Sequence, residues 1–447
     1  MIRRTLLAAA SFAAFVSPVM AQDLAITNAT VATGDGSDPI QHATVLVRDG
    51  KVVAAGADVA VPQGVTAIDG TGKWVTPGLF ASMTTLGLSD VDGVSESNDT
   101  AARGSPFGAA LDVTPALNPW SQGVAVTRDG GVTRASVYAR PASSIFGGQG
   151  AVVDLGNDPD MVVRPRAFQL VALGEYGAQL AGGSRVSAQA VLRNALREAR
   201  QYGADAKLAS GTSDPRMVDN GVARGEDALL NRFDAAALVP VVNGQQPLYV
   251  YVERDADIRS VLRLKQEFPK LKLILVGASE GWRAADAIAA AKVPVIADAL
   301  DDLPASFEQL AATQSNVGRM MRAGVTVAVG NLAGTTGDQP RNLPQFAGNL
   351  VALTKIPGAS GLSWGQAFAA ITSIPAEIAG YGGRFGVLKP GAAGDVVIWD
   401  GDPLELSTAP ERVFIDGVEQ PRDNHQMRLR DRYKDLDTSQ LPKAYDW

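Results

Sequence analysis

The sequence contains no cysteine and only two histidines, His42 and His425. The lack of cysteine excludes disulfide bonds, thiolate metal sites and cysteine nucleophiles. Histidine is the commonest metal ligand and a frequent general base, so its scarcity restricts both kinds of chemistry. His42 falls at the head of a predicted hairpin and His425 in a charged C-terminal segment. We predict that both are solvent-exposed surface residues.

Basic runs and long apolar runs are also missing. The formal net charge is −7, with 40 basic and 47 acidic residues spread along the 447-residue chain. This balance argues against nucleic acid or an anionic membrane surface as a partner. No stretch reaches the roughly 20 apolar residues that a membrane-spanning helix needs, so we predict no membrane span.

The N-terminus has the three parts of a secretory signal. Arg3 and Arg4 precede an apolar run of about 12 residues, and small residues up to Ala21 follow it. A membrane anchor is the alternative, but such a run is too short to cross about 30 Å of hydrocarbon. We therefore predict cleavage after Ala21, a signal peptide over residues 1–21, and a periplasmic or secreted protein.

Both ends of the remaining chain read as short strands and turns. The segment "ATVLVRDGKVVAAG" (43–56) alternates apolar and polar residues around Asp49-Gly50, a pattern that predicts a β-hairpin. Strand patterns return in "GVLKPGAAGDVVIWDGDP" (386–403) and "ERVFIDGVEQ" (411–420). The sequence thus predicts a composite, β-sandwich-like domain from residues 22–76 and 386–420, with a charged tail over 421–447.

Between these ends, short apolar strands alternate with helical patterns. Residues 187–203 form an amphipathic pattern that we expect to end at Gly203, and residues 247–297 read as strand, helix, strand, helix, strand. In "GLSWGQAFAAITSIPAEIAG" (361–380) Ser363 is the expected N-cap. Repeated β/α units predict a parallel sheet with helices outside. Residues 77–385 suffice for a TIM-like (β/α)8 barrel, which needs roughly 250 residues.

Several segments carry a resemblance to a known family. In chain order they are "ATVLVRDGKVVAAG", "IDGTGKWVTPGL", "GGVTRASVYARP", "RNLPQFAGNLVALTKIPGASGLSWGQAFAAIT", "IPAEIAGYGGRFGVLKPGAAGDVVIWDGDPLE" and "VFIDGVEQ". With them the chain resembles the amidohydrolase superfamily, specifically its exported imidazolonepropionase-like members. The resemblance implies a barrel with a composite β domain, and hydrolysis of non-peptide C–N bonds, typically in cyclic amides. It also implies zinc or another divalent metal at the barrel mouth, which activates a water molecule.

The metal ligands that this resemblance implies are missing from the sequence. The family carries His-x-His after the first strand, single histidines after later strands, and an aspartate after the last strand. In those positions the sequence has Met83 and Thr85, then no histidine in "YVYVERDADI", then Gly277, and finally Leu332 or, in a register shifted by one, Asn331. None of these side chains offers an imidazole or a carboxylate. We therefore expect no bound metal and no other cofactor.

Three other motifs have patterns that are associated with catalysis or anion binding. "GASEG" (277–281) and "GLSWG" (361–365) match the Gly-x-Ser-x-Gly nucleophile pattern. A serine nucleophile needs a general base, and we expect no histidine near Ser279. We interpret Ser279 as a helix cap. "SSIFGGQGAVV" (143–153) is Gly-rich but lacks the spacing of a phosphate loop, which favours a simple turn.

Carboxylates follow two of the predicted barrel strands: Glu253, Asp255 and Asp257 after one, and Asp298, Asp301 and Asp302 after another. Glu253 and Asp298 are the candidates for acid/base catalysis or oxygen ligation at the barrel mouth. These observations lead to two alternative hypotheses for the function of the chain. The first is a non-catalytic binding module, or the partner of a catalytic amidohydrolase homologue in a homo- or hetero-oligomer, with a small apolar or amide ligand. The alternative is an active C–N hydrolase with a carboxylate-based or metal-free site.

Overall fold

The computed structural model describes residues 21–91, 93–210, 228–332 and 339–434. The predicted signal peptide, apart from Ala21, lies outside the described residues, as does the end of the charged tail. Within the described residues the strands form two eight-stranded sheets. No helix among them is long and apolar enough to cross a membrane.

The first sheet is built from both ends of the chain. Its strands are β1 (Leu24–Val31), β2 (Ile40–Arg48), β3 (Lys51–Gly56), β4 (Thr66–Asp69), β5 (Trp74–Pro77), β14 (Val396–Trp399), β15 (Pro410–Ile415) and β16 (Val418–Glu419). Their order is β16-β15-β14-β5-β1-β2-β3, and β4 pairs with β1. N- and C-terminal strands meet where β5 pairs antiparallel with β14. The predicted hairpin is β2–β3, and Asp49 (φ 49°) and Gly50 (φ 70°) give its turn the left-handed geometry that Asp-Gly favours.

The second sheet forms the barrel. Its strands follow chain order: β6 (Leu79–Thr84), β7 (Val132–Val137), β8 (Phe146–Asp154), β9 (Val162–Ala172), β10 (Leu248–Val252), β11 (Leu273–Gly277), β12 (Val295–Ala297) and β13 (Val327–Val329). The amide of Val329 donates to the carbonyl of Ala370 (2.8 Å), and the amide of Phe80 donates to that of Ile371 (3.0 Å). Residues 370–371 therefore bridge the gap between the last strand and the first. The predicted barrel is confirmed.

One barrel strand departs from the repeating β/α pattern. Strand β8 runs antiparallel to both β7 and β9, since loops without a helix connect these three strands. It contains most of the Gly-rich segment 143–153, for which the sequence predicts a turn, and this prediction is wrong. A side chain on Gly150 would collide with the ring of Phe168 on β9, so glycine here allows an aromatic ring to pack against the strand. Phe168 in turn stacks on Tyr249, with ring centroids 4.2 Å apart, in the barrel interior.

Helices cover the outside of the barrel. The α-helices within the described residues are α1 (Gln122–Asp129), α2 (Gly174–Leu180), α3 (Arg185–Ser210), α4 (Arg232–Val242), α5 (Asp255–Glu267), α6 (Ala285–Ala291), α7 (Asn316–Arg322), α8 (Leu343–Ala352), α9 (Trp364–Ala369), α10 (Ser373–Ile378) and α11 (His425–Tyr433). Helix α3 does not end at Gly203 as predicted. A Cβ there would lie 2.9 Å from Val239 of α4, so this glycine permits close helix packing rather than terminating the helix. Ser363 caps α9 with a complete capping box, as predicted.

A buried ion pair joins the two sheets. Arg134 of β7 is 3% exposed and donates to both carboxylate oxygens of Asp395, at 2.7 and 2.8 Å, next to strand β14. A third bond, 2.7 Å long, reaches Asp416, and the guanidinium lies 4.4 Å from the ring centroid of Phe385. Bidentate geometry of this kind offsets much of the cost of removing both charges from water.

Candidate functional site

A cavity of about 580 Å³ lies at the carboxyl ends of the barrel strands. Its lining residues come from the ends of strands β6, β9, β10 and β11, from the residues that follow β7, β12 and β13, and from helix α2 and the loop over residues 301–309. Active sites of TIM-like barrels occupy this face, and the volume suits a small molecule.

Most of the positions at which the family resemblance implies metal ligands meet at this cavity. Met83, Gly277 and both Asn331 and Leu332 line it, whereas Thr85 is buried and is not a lining residue. Met83 is only 3% exposed and belongs to the same apolar cluster as Phe80 in the barrel interior. At the position where the resemblance implies the first histidine, the barrel mouth therefore has the thioether of Met83, packed among apolar side chains.

The absence of a side chain at Gly277 makes room for a carboxyl group. It ends β11 with φ 89°, and a Cβ built on it would lie 2.5 Å from Oε1 of Glu253. Glu253 follows β10 and is 3% exposed. The Glu253 carboxyl group therefore fills the volume into which a side chain at position 277 would project.

The donor set does not fit a catalytic zinc ion. Such a site needs nitrogen or carboxylate ligands at tetrahedral positions, and the family positions offer a thioether, a hydroxyl, a hydrogen atom and an isobutyl group. Within the described ranges no group of three or more histidine, cysteine, aspartate or glutamate side chains is arranged to hold a metal ion.

A serine joins two carboxyl groups beside the cavity. Ser279 Oγ lies 2.7 Å from Oε2 of Glu253 and 2.6 Å from Oδ2 of Asp301, so these two oxygens are within about 5.3 Å of each other, the sum of the two contacts. The side-chain amide of Gln309 also donates to Ser279 Oγ (3.1 Å). One hydroxyl carries one proton and can donate to only one of the carboxyl groups. The second short contact requires a proton on a carboxyl group.

Glu253 can hold this proton near neutral pH. Burial raises its pKa to about 7, although hydrogen bonds from the amide and hydroxyl of Ser279 and from the phenol of Tyr251 oppose part of the rise. The negative charge of Asp301 raises the pKa further. Protonated Glu253 then donates to Ser279 Oγ, and Ser279 donates to Asp301. All contacts of the cluster are satisfied in this arrangement.

The acidic lining continues on the loop over residues 301–309. Glu308 accepts a 2.6 Å hydrogen bond from the amide of Glu175, and Arg185 lies 3.3 Å from the carboxylates of both residues. Burial raises the pKa of Glu308, and its bonds from Glu175 and Arg185 counteract that rise. Asp298 lines the cavity after β12 and accepts from the amide of Leu300 (2.8 Å).

The cavity brings together some sequence candidates and excludes others. Glu253 and Asp298 both line it, with Asp301. Asp257 instead forms ion pairs with Arg254 and Arg185 outside the lining, and His42 and His425 are exposed, as predicted.

Ser279 has a different role from the expected one. The short helix after it begins at Gly281, where Glu280 is the N-cap residue and makes no side-chain cap. Ser279 instead connects Glu253 to Asp301 and is 1% exposed, so its hydroxyl is committed to internal contacts. The sequence signal for this cluster is the pair of carboxylate runs after β10 and β12, two barrel strands that β11 separates. Its geometry depends on a loop contact that no local pattern predicts.

Comparisons with known proteins agree on the kind of fold. A family model described as "Amidohydrolase family" matches residues 275–419. An imidazolonepropionase of Acidiphilium cryptum (strain JF-5) is 26% identical over 419 residues, which cover 88% of this chain and 98% of that protein.

Two further similarities differ in coverage. The amidohydrolase tasK of Hapsidospora irregularis is 23% identical over 392 residues, and the match spans 80% of this chain but only 38% of that protein. The crystal structure of an amidohydrolase from Thermotoga maritima MSB8 superposes with a TM-score of 0.75 at 23% identity, covering 90% of this chain and all of that one. At this level of identity the superposition establishes the fold.

Proposed function

This chain belongs to the amidohydrolase superfamily, and from that membership we propose that it is an exported, non-catalytic member which binds a small molecule at its barrel mouth. The observation that carries the proposal is the chemistry of the former ligand positions. Met83 packs into the apolar interior, Gly277 gives its space to Glu253, and Asn331 and Leu332 line the mouth in place of an aspartate.

Retention of the cavity is the support for binding. The apolar side chains of Met83 and Leu332, at two of the implied ligand positions, can pack against an apolar group of a ligand. The cavity of about 580 Å³ nevertheless stays open, with polar groups at its edge. A pseudoenzyme that retains a ligand site in this way suits a role as sensor, carrier or partner of a catalytic homologue with intact histidines.

Export and partnership belong to the same proposal. The charged, apolar and small-residue regions before Gln22 favour export to the periplasm or beyond. Partnership with a histidine-bearing homologue, as a homo- or hetero-oligomer, is tested by capture of this chain from a periplasmic extract of its host. We expect such a homologue among the captured proteins, and its absence from repeated captures would remove this part of the proposal.

The experiment for lost catalysis uses the purified chain. We expect no turnover of a panel of cyclic and linear amides, with or without added zinc, manganese or cobalt. Turnover that appears with metal and disappears with chelator would contradict the proposal directly.

A second candidate function is C–N hydrolysis by a carboxylate-based site. It is favoured by Glu253, whose raised pKa of about 7 suits a general acid or base, in the same cavity as Asp298. Metal-independent turnover that is lost in Glu253→Gln or Asp298→Asn, but kept in the exposed-site control Asp302→Asn, would establish this function instead.

A further inference from the structure

We infer that the ligand of the barrel mouth is a protonated amine carried on an apolar body. The inference rests on the proposed binding function of the cavity and adds the chemical class of its ligand. It follows from the charge balance of the lining, from its aromatic side chains, and from an amide group that is left without a partner.

The lining is strongly acidic. Its ionisable acidic and basic side chains are five carboxyl groups and one guanidinium, namely Glu175, Glu253, Asp298, Asp301, Glu308 and Arg140. Arg185, behind the lining, pairs with Glu175 and Glu308. Asp301 is different, since it forms no ion pair with any residue that the structure describes and accepts a hydrogen bond from the hydroxyl of Ser279. A cation that enters the cavity therefore finds a partner in Asp301.

Tyrosines surround the same region. Tyr138, Tyr176 and Tyr251 line the cavity, and the rings of Tyr176 and Tyr251 meet edge to face with centroids 6.5 Å apart. Burial raises the pKa of the Tyr251 phenol, and the carboxylates of Glu253, Glu308 and Asp301 raise it further. Aromatic rings beside carboxylates are a recurrent setting for ammonium groups.

A second observation points to a ligand independently of charge. Both polar atoms of the Asn331 side chain are buried and have no hydrogen-bond partner among the residues that the structure describes, and the residue lines the cavity. Buried amides are normally hydrogen-bonded, so an unsatisfied one needs an explanation. A ligand with one donor and one acceptor, such as an amide or a hydroxyl group, would satisfy Asn331.

The remaining lining limits the ligand to a single cationic end. Met83, Leu170, Val276 and Leu332 supply an apolar surface of the cavity. A second charge placed against these side chains would lose its hydration without gaining a partner. The complementary molecule has one ammonium group, an apolar body and a polar group within reach of Asn331.

The test compares three probes of the same shape by titration calorimetry on the purified chain at neutral pH: benzylamine, benzyl alcohol and benzoate. We expect benzylamine to bind about tenfold or more tightly than benzyl alcohol, since a hydrogen bond to a charged group exceeds one between neutral groups. Benzoate should bind more weakly than both. Asp301→Asn should weaken benzylamine about tenfold and leave benzyl alcohol unchanged. Asp302→Asn, an exposed neighbour on the same loop, should change neither.

The comparison of probes on the unmodified chain does not depend on the folding of any variant. Equal affinity for the amine and the alcohol would overturn the inference and leave the proposed binding function intact. Failure of all three probes to bind would overturn both. Turnover of an amide by the chain would refute the proposed non-catalytic function, while a preference for the amine would still support the inference.

Discussion

Replacement of Glu253 by glutamine should change how the stability of the protein depends on pH. In the unfolded chain a glutamate titrates near 4.5, whereas burial raises the pKa of Glu253 to about 7 in the folded protein. Below pH 4.5 both states hold the proton, and between these two values only the folded state does. Above pH 7 the folded protein carries a buried anion, so the stabilisation from Glu253 is lost as pH rises through 7.

The size of this effect follows from the separation of the two pKa values. At about 1.4 kcal/mol per unit, the separation corresponds to about 3 kcal/mol. Glutamine does not titrate, and its amide has nearly the shape of the protonated acid. The unfolding free energy of Glu253→Gln, relative to the unmodified chain, should therefore rise by about 3 kcal/mol from below pH 4.5 to above pH 7.

Urea denaturation of both proteins at closely spaced pH values measures this difference. Asp302→Asn serves as the control, since it also removes a carboxyl group but from an exposed position. Its stability relative to the unmodified chain should not follow the same curve. A difference between Glu253→Gln and the unmodified chain that is constant across the range would refute the protonated state assigned to Glu253.

Three further predictions concern other parts of the structure. Arg134→Met should lower the unfolding free energy by about 3–5 kcal/mol in urea denaturation, because it leaves Asp395 charged and buried; a loss below about 1 kcal/mol would show that the ion pair contributes little. Gly277→Ala should lower the unfolding free energy by at least about 1–2 kcal/mol for its left-handed backbone alone. The double variant with Glu253→Ala should lose less stability than the sum of the two single variants, and strictly additive losses would contradict this expectation. Sequencing the N-terminus of the exported protein should give Gln22, whereas a cytoplasmic product that retains Met1 would contradict export.

Local sequence patterns predicted most of the fold because those patterns act over short distances. The Asp49-Gly50 turn, the alternation of strands and helices over residues 247–297 and the Ser363 cap each depend on neighbouring residues. The failures are tertiary. A glycine such as Gly203 often ends a helix, but here it allows two helices to pack closely. The Gly-rich segment of β8 has the composition of a loop, but its Gly150 makes room for the ring of Phe168.

The candidate site was predictable in part for the same reason. Glu253 follows β10 and Asp298 follows β12, and the carboxyl ends of all parallel barrel strands lie at one face. The contact of Ser279 with Asp301 depends on the path of the loop after β12, which no periodicity determines. The unsatisfied amide of Asn331 is likewise a property of the assembled cavity.

The central proposal, that this chain lacks a metal centre, is tested most directly by metal content. The chain, produced in medium supplemented with zinc, manganese and iron and purified without chelators, is analysed by inductively coupled plasma mass spectrometry. Because Met83, Thr85, Gly277 and Leu332 offer no imidazole or carboxylate at the family's ligand positions, we predict metal far below one equivalent per chain. About one tightly held transition-metal ion per chain would contradict the account.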